Sequence, residues 1–211
     1  MKFTVNQDLL FHHSPTFKAC FESQWEEGQS KSVRLDEVDE ETFEMVQHWL
    51  YKGELIFGGD SEPEREHLVL LSKVWNFGDK YLIAPLQNSV IDVIHYLLAD
   101  EYFGSPKELQ DFIDHTFPIF ENNNDQHGNR IGESADLDDC NMVQLLIVHK
   151  FALGHWGIGD VGLRDRIEGN HLPYSVLGKV SMVLMKNTLY GTLKAQRTSS
   201  WDSDNYHVQQ R

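Results

Sequence analysis

The chain has 211 residues, and its 18 Lys and Arg against 33 Asp and Glu give a formal charge of −15, which excludes a basic nucleic-acid footprint. Hydrophobic residues make up 40% and charged residues 24%, with five Trp, seven Tyr and twelve Phe: enough for a core and too many for a disordered chain. No apolar run approaches the roughly 18 residues that cross a bilayer, and Met1 to Asp8 lacks the apolar stretch of a secretory leader, so no membrane partner and an intracellular site, cytoplasmic or nuclear, are expected.

In chain order, Phe3-Thr4-Val5 alternates as a short strand does. Ser14 followed by Pro15 starts a helix, because the N–H that proline lacks has no partner in a first turn; Phe17, Cys20 and Phe21 then make its apolar stripe. Glu26 to Ser32 is polar and reads as a loop, and Val33-Arg34-Leu35 as a second short strand. Asp39 caps a helix carrying Glu40 and Glu41 in its first turn, with Phe43, Val46 and Leu50 on one face and Met45 and Trp49 on another. Gly53 is its left-handed stop. Leu55-Ile56-Phe57 is a third strand candidate, and apolar helices follow over Glu64 to Phe77 and Pro85 to Leu98. Short strands among compact helices make this part α+β.

Beyond Leu98 the pattern is helical. Ser105-Pro106-Lys107-Glu108 forms a capping box ahead of Leu109, Phe112, Ile113 and Phe117. Residues 121–139 are rich in Asn, Asp and Gly and read as an acidic loop. Asp139 opens a helix through Val143, Leu146, Ile147 and Phe151, Pro173 to Tyr190 supplies another, and 192–211 reads as a flexible tail. The expected division is therefore 1–98 and a helical extension over 99–191.

Phe3-Thr4-Val5-Asn6-Gln7-Asp8-Leu9-Leu10, followed by Ser14-Pro15-Thr16-Phe17-Lys18-Ala19-Cys20-Phe21, resembles the BTB/POZ domain. Val33-Arg34-Leu35 with Trp49-Leu50-Tyr51-Lys52-Gly53, and Gly78-Asp79-Lys80-Tyr81, are similar to later blocks of that family in the same order, in a style like that of BTB proteins from filamentous fungi. The resemblance implies a small sheet flanked by a helical cluster, ahead of the all-helical C-terminal extension. It also implies a noncatalytic protein–protein interaction module that self-associates, as a homodimer, or serves as an adaptor. The family usually opens with a further strand, and this sequence begins at what resembles the second, as if N-terminally shortened; Asn6 and Gly78 also depart from the usual His and Ala.

Some members recruit the cullin scaffold of ubiquitin ligases through a hydrophobic-x-Glu motif, and Trp25-Glu26-Glu27 stands in the matching interval. The resemblance gives Trp25 the role of apolar anchor and Glu27 that of polar contact; the alternative is a Trp25 packed back on its own domain. Phe17 and Phe21, and the strand edge from Phe3 to Val5, are the other partner-binding candidates, with ordinary core as the plain alternative for Phe17 and Phe21.

Chemistry of other kinds is weaker. Gly157-Ile158-Gly159-Asp160-Val161-Gly162 matches a dinucleotide fingerprint and supports, as the alternative function, a nucleotide-dependent enzyme. No acid stands about 20 residues on to hold a ribose, and a helix-like stripe precedes it where a strand is needed, so a connection between helices is the plainer reading. The eleven His show no metal-ligand spacing, the acidic loop lacks a calcium-binding order, and Cys20 has no recognisable base. The sequence thus predicts no cofactor, no metal and no catalytic set. Cys20 and Cys140 read as buried free thiols, with a disulfide as the alternative.

Overall fold

Asn6 begins the first helix, α1 (Gln7–His13): its side chain accepts from the N–H groups of Asp8 and Leu9. Ser14 ends α1 and caps α2 (Pro15–Glu22), its hydroxyl accepting from Phe17 N at 3.1 Å. A five-residue helix, α3 (Glu26–Ser30), closes on Lys31 in the left-handed region. Asp39 caps α4 (Glu40–Lys52) by accepting from Thr42 N, and Gly53, at φ 75°, stops it. A 3-10 turn (Arg65–His67) leads into α5 (Leu68–Lys80), followed by α6 (Ala84–Ala99), α7 (Pro106–Thr116) and α8 (Met142–Ala152). The structure, a computed structural model, describes residues 2–58, 62–99, 106–117, 140–152, 176, 178–183 and 207–208. The acidic segment 121–139, the glycine run Gly157 to Gly162 and Ser105 lie outside the described residues.

The chain divides into two compact units, Met1–Val93 with His207–Arg211, and Ile94–Tyr206. In the first, α4 packs on α5 and on α1, and α2 packs on α1 and α3. Val46, Leu50, Leu71, Val74, Leu86 and Val90 are buried there, as the helical spacing requires. An aromatic chain runs through this unit. Phe3 meets Phe43 at 4.7 Å, Phe43 meets Phe77 at 6.0 Å, and Phe77 meets Phe17 at 6.2 Å; Phe17 in turn stacks on Tyr81 at 4.4 Å and 10°. Trp49 donates its indole N–H to Ser89 Oγ at 3.0 Å, tying α4 to the start of α6. His207 and Val208 belong to this unit too: the Asn88 amide holds the Val208 backbone through both N–H and C=O, and His207 Nε2 lies 2.9 Å from Asp92.

In the second unit α7 packs on α8, with Phe112, Ile113, Phe117, Val143, Leu146 and Ile147 buried. Asn141 and Gln144 exchange side chain to backbone hydrogen bonds at the start of α8, a capping box, and Gln144 Nε2 also donates to Thr116 O at the end of α7.

The α+β expectation is overturned: among the described residues there is no strand and no sheet, and the unit is helical. The first two short stretches carry no regular secondary structure, although their burial alternates. Phe3 and Val5, like Val33 and Leu35, are half-buried, with exposed residues between them. Alternation reports a stretch with one face covered; pairing additionally demands a neighbour about 4.8 Å away. Here the first stretch is held instead by α4, where Gln47 Nε2 donates to Thr4 O and the Tyr51 hydroxyl accepts from Asn6 N. Phe57, the one bridge residue among those described, is buried at the end of the third candidate. The polar segment read as a loop contains α3. Its Gly28 sits so close to Ser23 that an added Cβ would stand 1.9 Å from the Ser23 carbonyl oxygen, a tertiary contact invisible to periodicity.

Candidate protein-binding surface

Ser23 positions the loop that presents Trp25. The Ser23 hydroxyl donates to Cys20 O and accepts from Trp25 N, while Trp25 O accepts from Gln29 N. The backbone on both sides of Trp25 is thereby pinned, yet its ring is 76% exposed. Glu27 follows in the first turn of α3, half-buried, where a carboxylate meets the positive end of the helix. Trp25 does not pack back on its own unit. Of the remaining large apolar side chains, Tyr51, Ile56, Leu82 and Tyr96 are also exposed.

The other candidates gather elsewhere. Phe17 and Phe21 are buried, at 2% and 8% exposure, and their outward edges form part of the floor of a groove of about 940 Å³. Phe3 and Val5 line it, and so do Val33 and Leu35. Sequence reasoning put Phe3 and Val5 on an edge and Phe17 and Phe21 on a helix face; it missed that Val33 and Leu35 share the space. The period-two pattern common to both stretches was the available signal.

Titratable groups here are placed for structure. Cys20 and Cys140 are half-exposed, against the buried thiols expected. Burial, and then the Glu27 carboxylate, push the Cys20 thiol up, which disfavours the thiolate a nucleophile needs. Burial, and then His12, lower His13, whose ring meets Trp49 edge-on at 5.1 Å. Among the described residues no group of three His, Cys, Asp or Glu is placed to hold a metal ion, and no helix is long and apolar enough to cross a membrane.

Trp25 is thus solvent-facing on a hydrogen-bonded backbone, and Phe3, Val5, Val33 and Leu35 line one groove. Residues 1–94 match the family model of the BTB/POZ domain, which supports a BTB/POZ domain over that span. Domains of this family are generally noncatalytic modules of protein–protein interaction, and the match supports such a module over residues 1–94. No curated protein and no solved structure gives a significant match to the chain.

Proposed function

We propose that the chain anchors a partner protein through Trp25 and Glu27, as an adaptor whose partner is the cullin scaffold of a ubiquitin ligase. The observation that carries this reading is the 76% exposure of Trp25 on a backbone fixed by Ser23 and Gln29. A large rigid aromatic with little ordering left to lose is the kind of group that dominates interface energy when a partner pocket desolvates it. Glu27, beside it, supplies a polar contact at the rim. Phe3 and Val5, with Phe17 and Phe21 beneath, form the second contact surface of the module, available to a second copy or to a client.

Isothermal titration of the purified chain against a cullin N-terminal domain tests the first surface. Trp25→Ala is expected to weaken binding by about tenfold or more with thermal unfolding nearly unchanged, and Glu27→Ala to weaken it by less at a small cost to α3. Unaltered affinity in Trp25→Ala, or no binding by the parent chain, removes the cullin assignment. Light scattering across a concentration series tests self-association; a strictly monomeric species removes the homodimer.

A further inference from the structure

The groove beneath Phe3 and Val5 is walled by main chain. Residues Lys2 to Val5 line it without a gap, and so do Ser30 to Asp36. Side chains of a stretch outside helices turn to more than one side, so an unbroken run of lining residues brings backbone as well as side chain to the space. Among the described residues, no backbone–backbone hydrogen bond engages residues 2–5 or 32–34. Side chains, among the described residues, satisfy the carbonyls of Thr4, from Gln47, and Ser32, from Ser30. Unpaired rows of N–H and C=O are a template for another extended chain. The floor between them is aromatic, from Phe17, Phe21 and Phe43.

Charge selects among extended chains. The molecule carries −15 overall, yet the groove is lined by Lys2, Lys31 and Arg34 against Asp36 and Glu40. Arg34 is already paired with Asp36 at the surface, a contact that a ligand carboxylate can exchange, since both side chains are exposed. A second copy of so acidic a chain brings net repulsion to the approach, whereas a short acidic strand meets the local cations directly.

We infer that this groove takes an extended acidic peptide from a partner protein, hydrogen-bonded through its main chain to residues 2–5 and 32–34, with alternate apolar side chains on Phe17, Phe21 and Phe43 and the intervening carboxylates toward Lys2 and Arg34. The inference rests on the interaction-module reading and specifies the chemistry of its second surface.

The probe is a fluorescein-labelled peptide of about nine residues in which Val and Glu alternate, the length of an ordinary strand. Fluorescence anisotropy with the full chain is expected to show saturable binding, at least about tenfold weaker for the same peptide N-methylated at every second residue or carrying Lys in place of Glu. Arg34→Glu is expected to weaken it severalfold with thermal unfolding unchanged. Val33→Pro, which deletes one wall N–H, is expected to weaken it further; should that variant not fold, Arg34→Glu and the N-methylated peptide decide. Equal binding of the N-methylated peptide, equal binding of the Lys peptide, no saturable binding, or a concentration-dependent dimer that excludes the peptide each overturns the proposal. If the peptide fails while capture through Trp25 persists, the groove assignment alone is lost; if both fail, the module reading falls with it.

Discussion

The Ser14 hydroxyl is committed at both ends: it donates to the Tyr81 carbonyl oxygen at 2.6 Å and accepts from Phe17 N at 3.1 Å. One side chain thus caps α2 and ties it to the end of α5, with the Phe17 and Tyr81 rings stacked directly above. Ser14→Ala strands a buried N–H and a carbonyl together, so the expected loss is about 2–3 kcal/mol, more than an exposed cap alone supplies. Urea unfolding checks it, with a lower midpoint and an unchanged m-value; a loss no larger than a surface substitution would mean that neither bond contributes.

Leu82 adopts φ 54° although it is not glycine, and it is 62% exposed. It sits where a glycine ordinarily ends a helix, with Leu82 N bonded to Asp79 O and Ile83 N to Gly78 O. Leu82→Gly therefore removes a left-handed penalty and little burial, for a net gain of about 0.5–1 kcal/mol. Gly53→Ala is the opposite experiment. Nothing lies within 4 Å of an added Cβ, but φ is +75°, so the backbone alone should cost about 1 kcal/mol. Two midpoint shifts of opposite sign are expected in denaturant titrations.

Gly28 and Gly78 forbid a side chain to different degrees. A Cβ at 28 stands 1.9 Å from a backbone oxygen, which moves only with the chain, whereas one at 78 stands 2.7 Å from Gln87 Cγ, a side-chain atom. Gly78→Ala should cost about 1–3 kcal/mol by overpacking, and Gly28→Ala should cost more and disrupt α3. Thermal melts of both variants decide the order, and the reverse order would refute the placement of α3.

Lys73, hydrogen-bonded to Asp39 at 2.7 Å, together with Thr42, holds the Asp39 carboxyl at about 2 against an ordinary 3.8. The folded value is the lower one, so the carboxylate stabilises fully above 3.8 and loses that contribution as pH falls toward 2. Asp39→Asn keeps the capping oxygen and removes the charge. The stability gap between parent and variant should be steady near neutrality and shrink across that acid window, by a modest amount because the pair is half-exposed. A gap independent of pH would show that the ion pair adds nothing.

Helix ends were legible wherever capping chemistry is local. Ser14-Pro15, Asp39 and Gly53 each act in the structure as their residue types dictate. The start of α8 was legible as well but went unread: Asn141 and Gln144 form a reciprocal box three residues apart, the recognised spacing, while the apolar stripe drew attention to Asp139. That these stretches stay unpaired among the described residues was not legible, because alternation in Phe3-Thr4-Val5 and Val33-Arg34-Leu35 encodes burial, while pairing depends on which segment lies alongside. Trp25 could be located but not oriented, since exposure of one loop ring depends on the Ser23 and Gln29 hydrogen bonds that turn the chain outward.

The main chain of residues 2–5 and 32–34, which has no backbone–backbone partner among the described residues, carries a colloidal consequence. Exposed unpaired backbone over an aromatic floor invites indiscriminate pairing between molecules, and at −15 long-range repulsion is what keeps copies apart. That repulsion reaches about 8 Å at physiological ionic strength and only about 3 Å in molar salt. Concentrated salt should therefore bring turbidity where dilute buffer leaves the solution clear, and a ligand seated between the two stretches should protect against it.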